Sequence, residues 1–320
     1  MVGRRTTAGL REIVQLVEDD LAGVEAFFEE QSRSDVRLVG EIARYIREGG
    51  GKRIRPALLL LACRLAGYPG DPPVLLGSVV EFIHTATLLH DDIIDEATVR
   101  RGRRSVNSRW GNDITVLAGE FLYTKSMSMA LSQENLRILR LLSDVTLRMI
   151  EGELLEIEGN GNVATAEAHH LDIIRRKTAD LFSACTHIAG ILAEVGPERE
   201  QALARYGLEL GICFQMVDDL LDFTADEKVL GKPALSDLRE GKLTLPAIFL
   251  LRRAGSSAEE MVRAVLDDRG FGRVSPAPLV ALAREHGALA EARAMAERYA
   301  ESARQQLRLF EPSPYREALE

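Results

Sequence analysis

The sequence predicts an all-α protein. Ala, Leu, Glu and Arg, all strong helix formers, dominate its 320 residues while aromatics reach only 5%, and helical apolar spacing runs through most of the chain with few breaks. Hydrophobic residues at 46% and charged residues at 28% supply both a sizeable core and a wettable surface. Length alone suggests two domains, but no low-complexity linker divides the chain and no segment repeats, so residues 1–320 read as one domain. Taken in order, Gly49-Gly50-Gly51 breaks a helix and Pro56 restarts one within its first turn. Residues 67–73 form a Gly- and Pro-rich loop. From 74 to 95 the pattern is continuous and apolar, a long helix buried on most sides. Residues 102–112 read as a connection, 114–131 as a helix and 159–166 as a polar loop. Two more helices follow, over 168–195 and 201–223, and then a loop over 224–241.

The net charge of −9 gives no general pull toward nucleic acid or an anionic membrane. Basic residues cluster locally, at Lys52, Arg53 and Arg55 and again at Arg100, Arg101, Arg103 and Arg104, which suits small polyanionic ligands. Cys63, Cys185 and Cys213 are scattered among apolar residues, as buried thiols are in a reducing compartment. The first residues lack the apolar stretch of a secretory signal, and apolar runs such as 58–61 are too short to span a bilayer. The expected location is the cytoplasm.

Two acidic clusters carry the chemistry. His90-Asp91-Asp92-Ile93-Ile94-Asp95 ends the apolar helix of 74–95, with Asp91 and Asp95 on one face and Asp92 about 100° round it. Asp218-Asp219-Leu220-Leu221-Asp222 repeats the spacing late in the helix of 201–223, where Gln215 shares the face of its carboxylates. Like charges at this spacing repel, and nearby apolar surface adds a desolvation cost. A cation must offset both. Carboxylate oxygen favours Mg²⁺ or Ca²⁺ over zinc, and Mg²⁺ is usually held by a few carboxylates together with waters and substrate phosphates. A single cluster could be a solvated helix end; two with one spacing make coincidence a poor account. His84 shares the stripe of positions 88, 91 and 95.

Basic groups answer the acidic ones. Arg100 and Arg101 closely follow the first cluster, and Lys52 and Arg55 flank a Gly-rich break whose backbone N–H groups add to an anion site. Lys177-Thr178, Gly231-Lys232 and Gly241-Lys242 offer further donors. The combination implies two phosphorylated substrates or one very highly charged one. No nucleotide-binding glycine motif is present, which sets aside nucleotide kinases and dehydrogenases, and no cysteine or serine sits in a recognisable nucleophile motif.

Gly50-Gly51-Lys52-Arg53-Ile54-Arg55-Pro56, both Asp-Asp-x-x-Asp motifs, Arg100-Arg101-Gly102, Lys177-Thr178 and Phe214-Gln215-x-x-Asp218-Asp219 together resemble the trans-isoprenyl diphosphate synthases, in the family's order from about residue 41 to 246. The appearance is that of long-chain, octaprenyl-type members. The segment after Ala254 carries little of the pattern. The resemblance implies a single bundle of long helices around a deep, central apolar cavity, of the isoprenoid synthase type, and usually a homodimer. It implies condensation of isopentenyl diphosphate with an allylic diphosphate (geranyl, farnesyl or geranylgeranyl) and release of pyrophosphate. Asp91, Asp95 and Asp218 would hold Mg²⁺, three ions with substrate bound, with Asp92, Asp219 and Asp222 in support. Arg100, Lys177, Thr178, Gln215 and Lys232 look like contacts of the allylic substrate. Lys52, Arg55, His84 and Arg101 look like the isopentenyl diphosphate site, and Lys242 is a further candidate donor. The two triads are expected to face each other across a dry cleft.

Short-chain members carry bulky aromatics four or five positions before the first Asp. Here those positions are Ala86 and Thr87, so an open upper tunnel is expected, with Met127 as a floor deeper down. The product should exceed fifteen carbons, with thirty to forty the best reading. Leu235 departs from the pattern, standing where glycine is usual. A class I terpene cyclase would not need Lys52, Arg55 and Arg101 for a second diphosphate. A non-catalytic subunit of a heteromeric synthase would typically have lost one acidic motif.

Overall fold

A computed structural model describes residues 9–71, 73–224 and 235–320. Its helices, in order, are α1 (Leu10–Gln15), α2 (Glu18–Gln31), α3 (Arg37–Glu48), α4 (Ile54–Leu65) and α5 (Val74–Ile94). A two-residue antiparallel hairpin follows, β1 (Val99–Arg100) and β2 (Arg103–Arg104), with Val99 opposite Arg104. Next come α6 (Val106–Trp110), α7 (Asn112–Leu131), α8 (Leu136–Gly159) and α9 (Glu167–Ile174). A π-helical turn, Arg175–Ala179, leads into α10 (Asp180–Leu192) and α11 (Pro197–Thr224). The remainder is α12 (Ser236–Arg239), α13 (Leu245–Ala254), α14 (Ser256–Asp268), α15 (Pro276–Glu285), α16 (Ala288–Gln306), a 3₁₀ turn (Leu307–Leu309) and α17 (Pro314–Leu319). No helix among the described residues is long and apolar enough to cross a membrane.

The chain divides into two compact units, one of residues 1–143, 184–206 and 306–320, the other of 144–183 and 207–305. In the first, α5 packs against α2, α4 and α7. Apolar residues fill most of it: Val79, Val80 and Phe82 are fully enclosed, and the Phe82 and Phe28 rings lie 4.2 Å apart. Gly77 permits the close approach of α2, since a Cβ there would meet Val24 at 2.9 Å. Buried Ser78 donates to the carbonyl of Val24 at 3.1 Å, stitching the two helices. The chain end is fixed by Tyr206, whose hydroxyl donates to the Leu319 carbonyl at 2.7 Å.

The second unit has its own core, built from Met216 and Phe223 of α11, Leu235 and Leu238, and residues of α13, α14, α15 and α16. Pro246 and Pro276 sit in the first turns of α13 and α15, where a missing N–H costs nothing. Leu235 has φ 58° and ψ 34°, a left-handed geometry costing a side chain about 1–2 kcal/mol. Glycine adopts that geometry without the cost. Complete burial of the leucine side chain is the compensation.

The structure refines several sequence expectations. The supposed connection at 102–112 contains β2 and α6, elements too short for periodicity to register. The helix expected over 168–195 is interrupted by the π turn at 175–179. The expected loop at 224–241 includes α12. Cys63 and Cys185 are buried and free, and burial pushes each thiol up to about 12; Cys213 is half-buried.

Gly211 of α11 sets a close packing contact in the second unit. A Cβ there would lie 2.6 Å from the Ala179 Cα and 3.0 Å from the Phe182 Cβ, so neither neighbour can swing aside. Gly211→Ala should cost about 1–3 kcal/mol by overpacking, read as a lower midpoint in denaturant unfolding.

Candidate functional site

In the first unit, the acidic end of α5 divides by burial. Asp91 and Asp95 are half-buried, while Asp92 is only 1% exposed. Burial pushes the Asp92 carboxyl above its usual range, and Arg100 opposes the shift by donating Nε–H to Asp92 Oδ1 at 2.6 Å. Asn107 donates to the Asp92 carbonyl at 2.9 Å. Asp92 therefore ties the end of α5 to the β1–β2 hairpin and to α6.

The hairpin itself is stacked in place. The Arg103 guanidinium lies 4.2 Å from the Tyr45 ring centre and that of Arg109 lies 4.5 Å from it, with Trp110 edge-on to Tyr45 at 5.1 Å. The Tyr45 hydroxyl donates to the Arg104 carbonyl at 2.7 Å. Arg100 and Arg101 are thus carried on a clamped turn, and a cleft of about 610 Å³ beside it is lined by Gly50, Arg53, Glu81, Asp92, Arg100 and Arg101. Lys52 is exposed and Arg55 half-buried. His84 sits in the field of these cations. Burial, then Arg55, Arg101, Arg100 and Arg53, hold its imidazole well below the ordinary value of 6.5, so it is neutral at physiological pH. Ala86 is 3% exposed, Thr87 donates its hydroxyl to the His84 carbonyl at 2.9 Å, and Met127 is half-buried on α7.

The second unit holds the other acidic set, and it divides differently. Asp218 is exposed, whereas Asp219 and Asp222 are 2% and 1% exposed. A chain of side chains fixes Asp219: Thr178 donates to Gln215 Oε1 at 2.9 Å, and Gln215 Nε2 donates to Asp219 Oδ1 at 3.0 Å. His170 Nε2 lies 3.0 Å from the other oxygen, Oδ2. Asp222 receives the Ser236 hydroxyl at 2.6 Å and the Asp237 N–H at 3.3 Å, so it caps the entry to α12. Lys177, carried on the π turn, reaches Glu153 at 2.7 Å and Glu156 at 2.9 Å. Lys242 shares Glu156 at 3.4 Å. A cleft of about 730 Å³ is lined by Glu156, His170, Lys177, Thr178, Gln215, Asp218, Asp219 and Lys242.

The donor set suits a hard cation. Among the described residues no three carboxylate, imidazole or thiol groups converge into a ready-made cage. Asp91, Asp95 and Asp218 instead present carboxylate oxygen at partly open helix ends, the setting in which Mg²⁺ keeps waters and takes up substrate phosphates. Lys232 lies outside the described residues. Sequence reasoning passed over Glu81, Glu153, Glu156 and His170. Glu81 had left a signal, a carboxylate inside the apolar run of α5. The others become visible only through partners far along the chain.

A family model described as polyprenyl synthetase matches residues 36–275. The chain is 40% identical over 310 residues to the octaprenyl diphosphate synthase of Escherichia coli strain K12, covering 97% of this chain and 96% of that one. It is similar in structure to a polyprenyl synthase from Caulobacter crescentus CB15 complexed with calcium and isoprenyl diphosphate, with TM-score 0.93, 35% identity and coverage of 98% and 96%. A decaprenyl diphosphate synthase from Rhodobacter capsulatus gives TM-score 0.91, 38% identity and coverage of 97% and 96%. The all-α architecture is thus that of the isoprenoid synthases, and the chain belongs to the polyprenyl synthetase family.

Proposed function

We propose that this prenyltransferase condenses isopentenyl diphosphate with an allylic diphosphate to make an all-trans polyprenyl diphosphate of about thirty to forty carbons. The observation that carries the reading is the retention of both acidic motifs, each lining a cleft with its own basic groups, in a chain similar to octaprenyl and decaprenyl diphosphate synthases. That family's model extends through both compact units, which supports their working as one synthase domain. The homodimer and cytoplasmic location expected from the resemblance belong to the same reading.

In this reading Asp91, Asp95 and Asp218 hold Mg²⁺, while Asp92, Asp219 and Asp222 keep those carboxylates oriented. Bound Mg²⁺ would offset the charge that develops on departing pyrophosphate. Arg100, Lys177, Thr178, Gln215, Lys242 and Lys232 bind the same diphosphate and stabilise it most as the C–O bond breaks. Lys177 and Lys242 must then exchange Glu153 and Glu156 for substrate oxygens. Lys52, Arg55, His84 and Arg101 position isopentenyl diphosphate so that its double bond attacks the allylic carbon. The proton lost afterwards goes to pyrophosphate. Apolar helix walls exclude water that would quench the cation, and the small Ala86 and Thr87 leave the growing chain room to extend.

Protein supplied with Mg²⁺, isopentenyl diphosphate and farnesyl diphosphate should release pyrophosphate and lengthen the chain, with the carbon number read by chromatography of the dephosphorylated product. Asp91→Ala should lower kcat by roughly 10²–10³-fold; unchanged turnover would sink the metal assignment. Ala86→Phe should shorten the product, and an unaltered length would overturn the tunnel placement.

His84 gives a pH signature. Its folded value lies below its unfolded one, so the unfolded chain binds the extra proton more readily. Stability is therefore fully present above about pH 6.5 and is lost progressively as pH falls below it. His84→Gln should flatten the dependence of the unfolding midpoint on pH in that acidic window.

A further inference from the structure

Glu81 is 5% exposed in the middle of α5, and a carboxylate there must be paired. Its partner is Arg53, which donates Nη1–H to Glu81 and grips Glu25 of α2 through Nε and through Nη2 at 3.2 Å. Arg53 is the residue between the Gly-rich break and α4, with φ 47° and ψ 37°. A side chain keeps such a left-handed geometry only where its surroundings over-determine it. A fork anchored on two helices does so. Lys52 precedes that residue and Arg55 follows it by two, so the direction of both depends on the turn it holds.

The same carboxylate faces the neighbouring cations. Glu81 attracts Arg55 and Arg101, opposing the burial that lowers both. Arg101 crosses the break itself: a Cβ on Gly51 would lie 2.9 Å from its Nη1 and 3.4 Å from the Arg53 Nη1. His84 stands nearly one turn further along α5. One buried negative charge therefore sits beneath a crowd of guanidinium groups that would otherwise repel one another.

We propose that Glu81, acting through Arg53, is a positioning residue that pre-assembles the isopentenyl diphosphate site by holding Lys52, Arg55 and Arg101 together before substrate arrives. This rests on the assignment of those basic residues to isopentenyl diphosphate. Glu81→Gln removes the charge at constant shape. It should raise KM for isopentenyl diphosphate by about tenfold or more, with KM for farnesyl diphosphate unchanged and kcat within about threefold. An unchanged KM for isopentenyl diphosphate, or an equal loss for both substrates, overturns the proposal. Lys52→Ala separates the two levels: if it too leaves that KM unchanged, the site assignment fails, whereas a rise there without one in Glu81→Gln removes only the positioning role. Should Glu81→Gln fail to fold by circular dichroism, Arg53→Lys keeps the charge but loses the fork. The same selective rise is expected from it, and its absence is equally fatal.

Discussion

A carboxylate withdrawn from water must meet a donor or a cation, and much of this molecule is arranged around that requirement. Each apolar helix that ends in an acidic triad buries part of it. Asp92 is answered by Arg100, Asp219 by Gln215 and His170, and Asp222 by Ser236 and the Asp237 N–H. Apart from Gln215, on α11 itself, those partners lie on a hairpin, on α9 and at the start of α12, so satisfying the buried acids also fixes the segments that frame each cleft. Asp91, Asp95 and Asp218 are more open to solvent.

The basic side is held with equal firmness. Arg53 is forked between α2 and α5, the hairpin bearing Arg100 and Arg101 is stacked on Tyr45, and Lys177 rides a π turn against Glu153 and Glu156. Catalysis of diphosphate departure depends on charge already oriented before the bond breaks. Salt bridges that would contribute little on an open surface matter here because they set direction. Some backbone irregularities carry these groups: Arg53 and Arg101 are left-handed, and the π turn at 175–179 bears Lys177.

The polyprenyl synthetase family membership, the all-α class and the long helices were legible in the residues themselves. The apolar run of α5 and the spacing of Asp91 and Asp95 are local facts, readable from 3.6-residue periodicity. The repetition of that spacing at Asp218 was equally plain. Periodicity could not show that 102–112 closes a hairpin, or that the helix after 167 opens into a π turn, because both depend on hydrogen bonds and packing between residues not adjacent in sequence.

Sequence alone thus determined which charges the protein carries and on which helices, since composition and period are properties of neighbouring residues. Only the tertiary structure decided which of those charges face solvent and which are spent holding others. It divided two identical motifs unequally, burying Asp92 in one and both Asp219 and Asp222 in the other. It also drew Glu81 to Arg53 and Glu156 to Lys177. The physical reason is that desolvation and Coulomb attraction act through space, and Glu81 and Glu156 stand more than twenty residues along the chain from the cations that satisfy them.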